Sequence, residues 1–301
     1  MLGRITNQQM LVSSQRNLTS SRALLVQLQE QASSGRAVTK PSDDPSATAS
    51  IMRLRSEQRS VTQYGTNISD GLAWMSTLDN ALTHTEDLLR QARELTLRGA
   101  NSGVMTPATR EAIATQLDGL KSDLLQQANT TYLGRPIFAG SSNAGSAFTG
   151  ADSVTPAPYT FSGADGATVT RRINDTETIV VDANGESTFG SGAGSLFASI
   201  DSIVQDLRDG KDVSARLAEL DAHRENITTQ HALVGARYAR MEQAQETNLS
   251  QSVALETQRS GIEDADPAKT IIDLKAQELT YQTALAVTAR ALQPTLLSYL
   301  S

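Results

Sequence analysis

Carboxylates are the side chains of this sequence that most suggest chemistry, because they stand in short groups. The groups are Asp43/Asp44, Glu86/Asp87 and Glu263/Asp264/Asp266. Paired carboxylates can transfer protons in catalysis or bind calcium. Asp44 and Asp266, however, each precede a proline. This order is typical of a helix start, because Asp accepts hydrogen bonds from free backbone N–H groups and Pro lacks an N–H. We therefore interpret Asp44 and Asp266 as helix caps.

The histidines His84, His223 and His231 are the other candidates for acid–base or metal chemistry. They are isolated in the sequence, and the spacing of His223 and His231 exceeds the i, i+4 spacing of a helical metal pair. The chain has no cysteine and none of the short motifs of zinc hydrolases, serine hydrolases or phosphate-binding loops. We interpret the histidines as surface or packing residues. The sequence therefore predicts no enzyme, no metal site and no cofactor.

Charge and composition exclude further classes of protein. The net charge is −7, whereas a dedicated nucleic-acid-binding protein usually presents a basic face. No apolar run approaches the roughly 18–20 residues that span a bilayer, and the N-terminus lacks the pattern of a signal peptide. We therefore expect no nucleic-acid partner and no membrane insertion. If the chain leaves the cytoplasm, it should do so without a cleaved general-secretion signal.

Apolar residues at heptad spacing predict a helix at each end of the chain. The predicted seams are Leu11, Leu18, Leu25 and Leu28 near the N-terminus and Ile271, Leu274, Tyr281, Leu285 and Leu292 near the C-terminus. Both seams include polar members, such as Ser14, Ser21 and Thr288, so neither helix should be stable alone. Neither has an obvious local partner. We therefore expect the two terminal helices to pair with each other.

The middle of the chain predicts long helices interrupted by a β-rich insert. Asp44–Pro45, Thr106–Pro107 and Asp266–Pro267 mark three helix starts, and Gly35 marks a helix end. Residues 139 to about 195 combine short β-type runs with Asp-Gly and Asn-Gly turns, although a flexible linker is the alternative. The predicted fold is mainly α: an elongated antiparallel helical rod or coiled coil built from both chain ends, with a small inserted β-rich outer domain.

Several longer stretches resemble the flagellin superfamily. They include "ASSGRAVTKPSDDPSATASIMRLRSE", "QYGTNISDGLAWMSTLDNAL", "LLRQARELTLRGANSG", "NTTYLGRPIFAGS" and "ALAVTARALQPTLLSYLS". Within the superfamily, "KPSDDP", "YLGRPIFAG" and "LLSYL" resemble the hook–filament junction proteins, since filament flagellins usually carry a "SAKDDAAG"-type segment. Filament flagellin is the alternative. A coiled-coil signalling or adhesion protein should carry a membrane span or a cleaved signal, and the insert shows no convergent groups for an enzyme.

The resemblance implies a layered, flagellin-like architecture. The layers would be an inner terminal coiled-coil domain of 1–35 with 266–301, a middle helical-rod domain of 36–137 with 196–265, and a β-rich outer domain of 138–195. The turn formed by Pro41, Asp43, Asp44 and Pro45 would then link the inner and middle domains, where neighbouring subunits should touch, with Asp43 facing a neighbour.

The resemblance also implies a structural role outside the cell. A homo-oligomeric ring of this chain would stand at the hook–filament junction of a bacterial flagellum, between hook-associated protein 1 and the flagellin filament. The chain would be exported through the flagellar type III apparatus, and an export chaperone would bind its C-terminal helix beforehand.

Overall fold

The computed structural model describes residues 2–100, 105–150, 159–163 and 166–291, and these are mostly helical. The helices are α1 (Leu2–Ser34), α2 (Pro45–Ala100), α3 (Pro107–Ala128), α4 (Gly185–Phe189), α5 (Leu196–Arg208), α6 (Arg216–Glu263) and α7 (Pro267–Ala291). The described strands form antiparallel pairs: β1 (Thr131–Tyr132) with β2 (Arg135–Pro136), β3 (Phe148–Thr149) with β4 (Thr160–Phe161), and β5 (Thr170–Arg172) with β6 (Thr178–Val180). The prediction of a mainly α fold with a small β-rich insert is confirmed. No described helix has the length and apolar character of a membrane span.

The helix starts lie where the proline dipeptides predict them. Helices α2, α3 and α7 begin at Pro45, Pro107 and Pro267. Asp44 Oδ1 accepts a hydrogen bond of 2.9 Å from the N–H of Ala47, and Asp266 Oδ1 accepts one of 2.9 Å from the N–H of Ala268. Each carboxylate therefore satisfies a backbone donor that the helix leaves free, so both aspartates are caps as predicted.

The chain forms two compact units, and Met1–Ser60 with Gln251–Ser301 make up the first. In this unit α1 packs along α7, which confirms that the two ends of the chain pair with each other. The first turns of α2 and the last turns of α6 complete the unit. Ile51, Leu54 and Leu255 are the only buried apolar side chains among its described residues. The first unit therefore has a very small core.

The second unit, Val61–Ser250, contains a continuous apolar core. Phenylalanine rings from the β-rich segment and from α4 and α5 meet at its centre. The ring centroid of Phe148 lies 5.7 Å from that of Phe189 and 5.4 Å from that of Phe197. The described part of the predicted insert is therefore packed into a core, which is inconsistent with the flexible-linker alternative. The division into three domains at residues 36, 138, 196 and 266 stays a prediction.

Truncating a core leucine of the second unit should destabilise it strongly. Leu78 on α2 is fully buried, whereas Leu249 on α6 is 65% exposed. We expect Leu78→Ala to lower the free energy of unfolding of this unit by about 2–5 kcal/mol, because it removes buried methyl groups and leaves a cavity. The matched Leu249→Ala should change it by less than about 0.5 kcal/mol. Chemical denaturation of the full chain measures both, and equal effects would contradict the assigned core.

Candidate functional site

The candidate site is the pair of terminal helices and the turns that join them to the rest of the first unit. On α1, half-buried side chains recur every third or fourth residue, at Ser14, Leu18, Ser21, Leu25 and Leu28. On α7 the corresponding stripe is Thr270, Leu274, Gln277, Tyr281, Ala284 and Thr288. This alternation of three and four is the spacing of a coiled-coil seam.

Polar groups occupy several positions of the seam and bond to each other across it. The side-chain amide of Gln277 donates to the backbone carbonyl of Ser21 at 3.0 Å and to Ser21 Oγ at 2.8 Å. These bonds fix the register of α1 against α7, because a shift of either helix would leave both groups unpaired. They contribute little apolar burial. The seam is therefore specific but weakly stabilising.

The structure divides the predicted seam residues into two groups. Leu18, Leu25, Leu28, Leu274 and Tyr281 lie on the facing stripes, as the heptad spacing predicts.

Ile271 and Leu285 do not lie there, since they are 55% and 43% exposed. Each follows a stripe residue, Thr270 or Ala284, by one position, and one residue turns an α-helix by about 100°. Both therefore lie on the flank of α7, beside the stripe that faces α1. Leu292 lies outside the described residues, and the side chain of Leu11 is outside the described part of α1.

Helices α1 and α7 expose large apolar side chains away from their common seam. Among their described residues none of the apolar side chains is buried. The exposed ones are Val12, Leu24 and Val26 on α1 and Ile271, Ile272, Leu279, Leu285 and Val287 on α7. Burial stabilises by roughly 25 cal/mol per Å² of apolar surface, so a pair that buries so little gains little from folding alone. The described part of the pair therefore leaves apolar surface uncovered.

Backbone hydrogen bonds join the turn after α1 to the turn before α7, at what we call the base of the helix pair. Gly35 ends α1 with φ of +68°, a conformation that glycine adopts without steric cost. Its carbonyl accepts a hydrogen bond of 2.9 Å from the N–H of Ala265, and the N–H of Ala37 donates to the carbonyl of Glu263 at 2.8 Å. The turn after α1 is thus hydrogen-bonded to the turn before α7.

The predicted inter-domain turn is closed by its own side chains. Asp43 Oδ2 accepts hydrogen bonds from Thr39 Oγ1 at 2.9 Å and from the N–H of Lys40 at 2.9 Å. These bonds, that from Thr39 above all, hold the pKa of Asp43 below its usual value. Pro41 and Pro45 are exposed on either side of it. Asp43 therefore shapes the turn within its own chain, and its contact with a neighbour stays a prediction.

Glu263, the last residue of α6, forms ion pairs with three arginines of the first unit. Its side chain is 2% exposed. Oε1 forms an ion pair with Arg36 Nε at 3.1 Å and accepts a hydrogen bond from the guanidinium of Arg55, while Oε2 accepts one from Arg259 Nη1 at 2.6 Å. The carboxylates of Glu256 and Glu263 together raise the pKa of Arg259. One buried carboxylate thus connects the turn after α1 with α2 and α6.

Sequence reasoning missed this role of Glu263. The residue stands in the same carboxylate group as Asp264 and Asp266, but the structure gives its members different tasks, since Asp266 caps α7 and Glu263 binds arginines. The only local signal is the four-residue spacing from Arg259, which suits an ion pair within a helix. Arg36 and Arg55 are more than 200 residues away in sequence, so nothing nearby indicates them.

Fold and site together define a mainly α-helical protein whose two chain ends meet in a weak coiled-coil seam. Residues 5–143 match the bacterial flagellin N-terminal helical region, and residues 217–300 match the bacterial flagellin C-terminal helical region. The two matches cover more than two thirds of the chain. The chain belongs to the bacterial flagellin family.

Similar proteins come from two branches of that family. The chain is 30% identical over 189 residues to flagellar hook-associated protein 3 of Salmonella typhimurium, which covers 62% of this chain and 57% of that relative. It therefore matches little more than half the length of the Salmonella protein. It is 26% identical over 285 residues to the flagellar filament 33 kDa core protein of Treponema phagedenis, with 93% of each covered.

A solved structure shares the fold. The flagellar junction protein FlgL from Legionella pneumophila superposes with a TM-score of 0.58 and 15% identity, over 70% of this chain and 100% of that one. At this level of identity the likeness concerns the fold alone.

Neutralising Glu263 should loosen the base of the helix pair. In Glu263→Gln, three guanidinium groups lose their shared counter-charge. We expect a cost of about 2 kcal/mol, since two of the arginines are partly exposed and solvent screens their charges. Hydrogen exchange of the Ala37 and Ala265 amides should accelerate roughly thirtyfold.

Glu256→Gln is the matched control. Glu256 also binds Arg259 but is 57% exposed, so exchange of the same amides should change by less than about threefold. If the two variants accelerated exchange equally, the burial of Glu263 would not explain how it stabilises the turns at Ala37 and Ala265.

Proposed function

We propose that this chain is a structural subunit of the bacterial flagellum that forms the hook–filament junction. A homo-oligomeric ring of copies would lie between hook-associated protein 1 and the flagellin filament. The observation that carries the proposal is the apolar surface that α1 and α7 expose around a seam in which none of the described apolar side chains is buried. Family membership and the similarity to a hook-associated protein 3 support the flagellum as its location.

Weak terminal helices suit such a subunit because they couple folding to assembly. A segment that orders only when partners supply apolar surface gives up part of its binding energy to ordering. In exchange, it can remain extended during passage through a narrow channel. This agrees with export through the flagellar type III apparatus, with a chaperone covering the exposed apolar side chains of α7 until export. The residues from Pro41 to Pro45 would form the rigid corner between the inner and middle domains in the assembled ring.

A filament flagellin is the second candidate. The Treponema phagedenis filament core protein aligns over nearly the whole of this chain, whereas the hook-associated relative aligns over about half of its own length. The seam physics is the same for both functions, since subunits of a ring and of a filament must each bury the terminal helices against neighbours. The two candidates differ in what surrounds the subunit.

Deletion of the gene in its own bacterium separates these candidates. If the chain is the junction protein, cells lacking it should release unpolymerised flagellin into the medium and carry hooks without filaments. If it is the filament subunit, the deletion should remove the secreted flagellin itself. Immunogold labelling of the complemented strain provides the second measurement, since a junction protein labels one band at the base of the filament and a flagellin labels its whole length.

Charged substitutions on the terminal helices should block incorporation into the flagellum. Leu18→Glu places a carboxylate in the seam, and Leu285→Glu places one on the exposed flank of α7 beside the seam. Burying an unpaired charge against a neighbour costs several kcal/mol, so we expect at least a tenfold loss of incorporated protein, roughly, in both variants. Motility and immunoblots of purified hook–filament fractions report the result.

Gln282→Glu is the control for Leu285→Glu. It adds the same charge to an exposed polar position of α7 and should incorporate normally. Circular dichroism of each purified variant should show the same overall helicity as the wild type. Normal motility in Leu285→Glu would exclude the exposed flank of α7 as an assembly surface.

A further inference from the structure

His231 on α6 is bound on both sides by carboxylates of α2, in the second unit. Nε2 lies 2.9 Å from Asp79 Oδ1, and Nδ1 lies 3.0 Å from Glu86 Oε1. Asp79 and Glu86 are seven residues apart, which places them two turns apart on one face of α2. A single ring thus bonds to two turns of the facing helix.

This geometry determines the protonation of the ring. A neutral imidazole carries one N–H and can donate one hydrogen bond, whereas the imidazolium donates from both nitrogens. Ionised carboxylates only accept. Both contacts of His231 can therefore be hydrogen bonds to carboxylates only when the ring is doubly protonated. Each contact is then also an ion pair in a site where the ring is only 24% exposed.

We propose that His231 is a proton-dependent clamp that fastens α6 to α2 while its ring is an imidazolium and releases one of the two contacts when the ring loses a proton. This function goes beyond assembly, because it makes the stability of the second unit depend on pH through one residue. It does not require that the chain be a junction protein.

The electrostatics around the ring agree with the clamp. Burial lowers the pKa of His231, but the hydrogen bonds and charges of Glu86 and Asp79 outweigh it and raise the pKa above its ordinary value. The groove beside the clamp is lined by further charged residues, namely Asp87 and Arg90 of α2 and Arg224 and Glu225 of α6. Asp87 binds Arg90, and Arg224 lies near Asp221, so these charges are at least partly compensated.

The sign of the pH effect follows from the raised pKa. The folded state binds the proton more tightly than the unfolded chain, whose histidines titrate near pH 6.5. The clamp therefore contributes its full stability below about pH 6.5 and loses it as the pH rises through the folded pKa.

A second histidine in the same unit acts in the opposite direction. His223 lies 3.1 Å from Ser199 Oγ, and burial lowers its pKa. Its contribution to stability is therefore lost as the pH falls through its folded pKa. A pH profile of the whole protein mixes the two effects, so the clamp must be tested by a signal from His231 itself.

NMR titration of the histidine rings in the full chain provides that signal. His231 should titrate above pH 6.5, with both ring nitrogens protonated on the acidic side of the transition. Asp79→Asn and Glu86→Gln keep the side-chain shapes and should each lower the pKa of His231. A His231 that titrates at or below pH 6.5, or that is unaffected by both substitutions, would overturn the proposal.

Thermal unfolding gives an independent measurement. The difference in melting temperature between the wild type and His231→Gln should be largest below about pH 6.5 and should shrink as the pH rises above that value. His84→Gln is the control, since His84 is exposed on α2, and it should follow the wild-type profile throughout. Parallel profiles of the wild type and His231→Gln would show that the ring carries no proton-dependent contact.

Discussion

A pair of helices can bury only one stripe of each partner, and this constraint governs the first unit of the chain. The stripes of α1 and α7 place Ser21 opposite Gln277 and alternate such polar groups with Leu and Tyr. The pair consequently has a defined register but little apolar burial. The large exposed apolar side chains among its described residues lie outside the seam. The low apolar burial between α1 and α7 therefore explains both why the pair is weak alone and why we place it in an oligomeric structure.

The base of the pair compensates for this weakness with polar interactions. The turns at Gly35 and Ala265 are hydrogen-bonded to each other, and the buried carboxylate of Glu263 binds Arg259 of its own helix together with two arginines more than 200 residues away in sequence. Such bonds depend on direction, so they position the end of α1 and the start of α7 even where apolar packing is sparse. The second unit uses the opposite solution, a continuous apolar core, and adds the His231 clamp at its surface. The two units thus differ in apolar burial: the second has a continuous core, whereas the described part of the first has a very small one.

The sequence predicts the features that depend on neighbouring residues. Asp44–Pro45 and Asp266–Pro267 locate two helix starts because capping needs only the adjacent backbone, and the leucines of α1 locate its seam because the heptad is a local period. Ile271 and Leu285 are exposed although they fit an apolar pattern, because the stripe that faces α1 includes Thr270 and Ala284 instead. The partners of Glu263 and His231 could not be predicted, since each is set by the packing of helices far apart in sequence.

The central claim is that α1 and α7 obtain their stability from neighbouring molecules. Hydrogen exchange of peptides from residues 12–34 and 267–290 tests it most directly, measured on the verified monomer and on isolated flagella that contain the chain. The account predicts fast exchange of both helices in the monomer and at least a roughly hundredfold slower exchange after assembly, while the core of the second unit is equally protected in both states. Strong and equal protection of α1 and α7 in the monomer would contradict it.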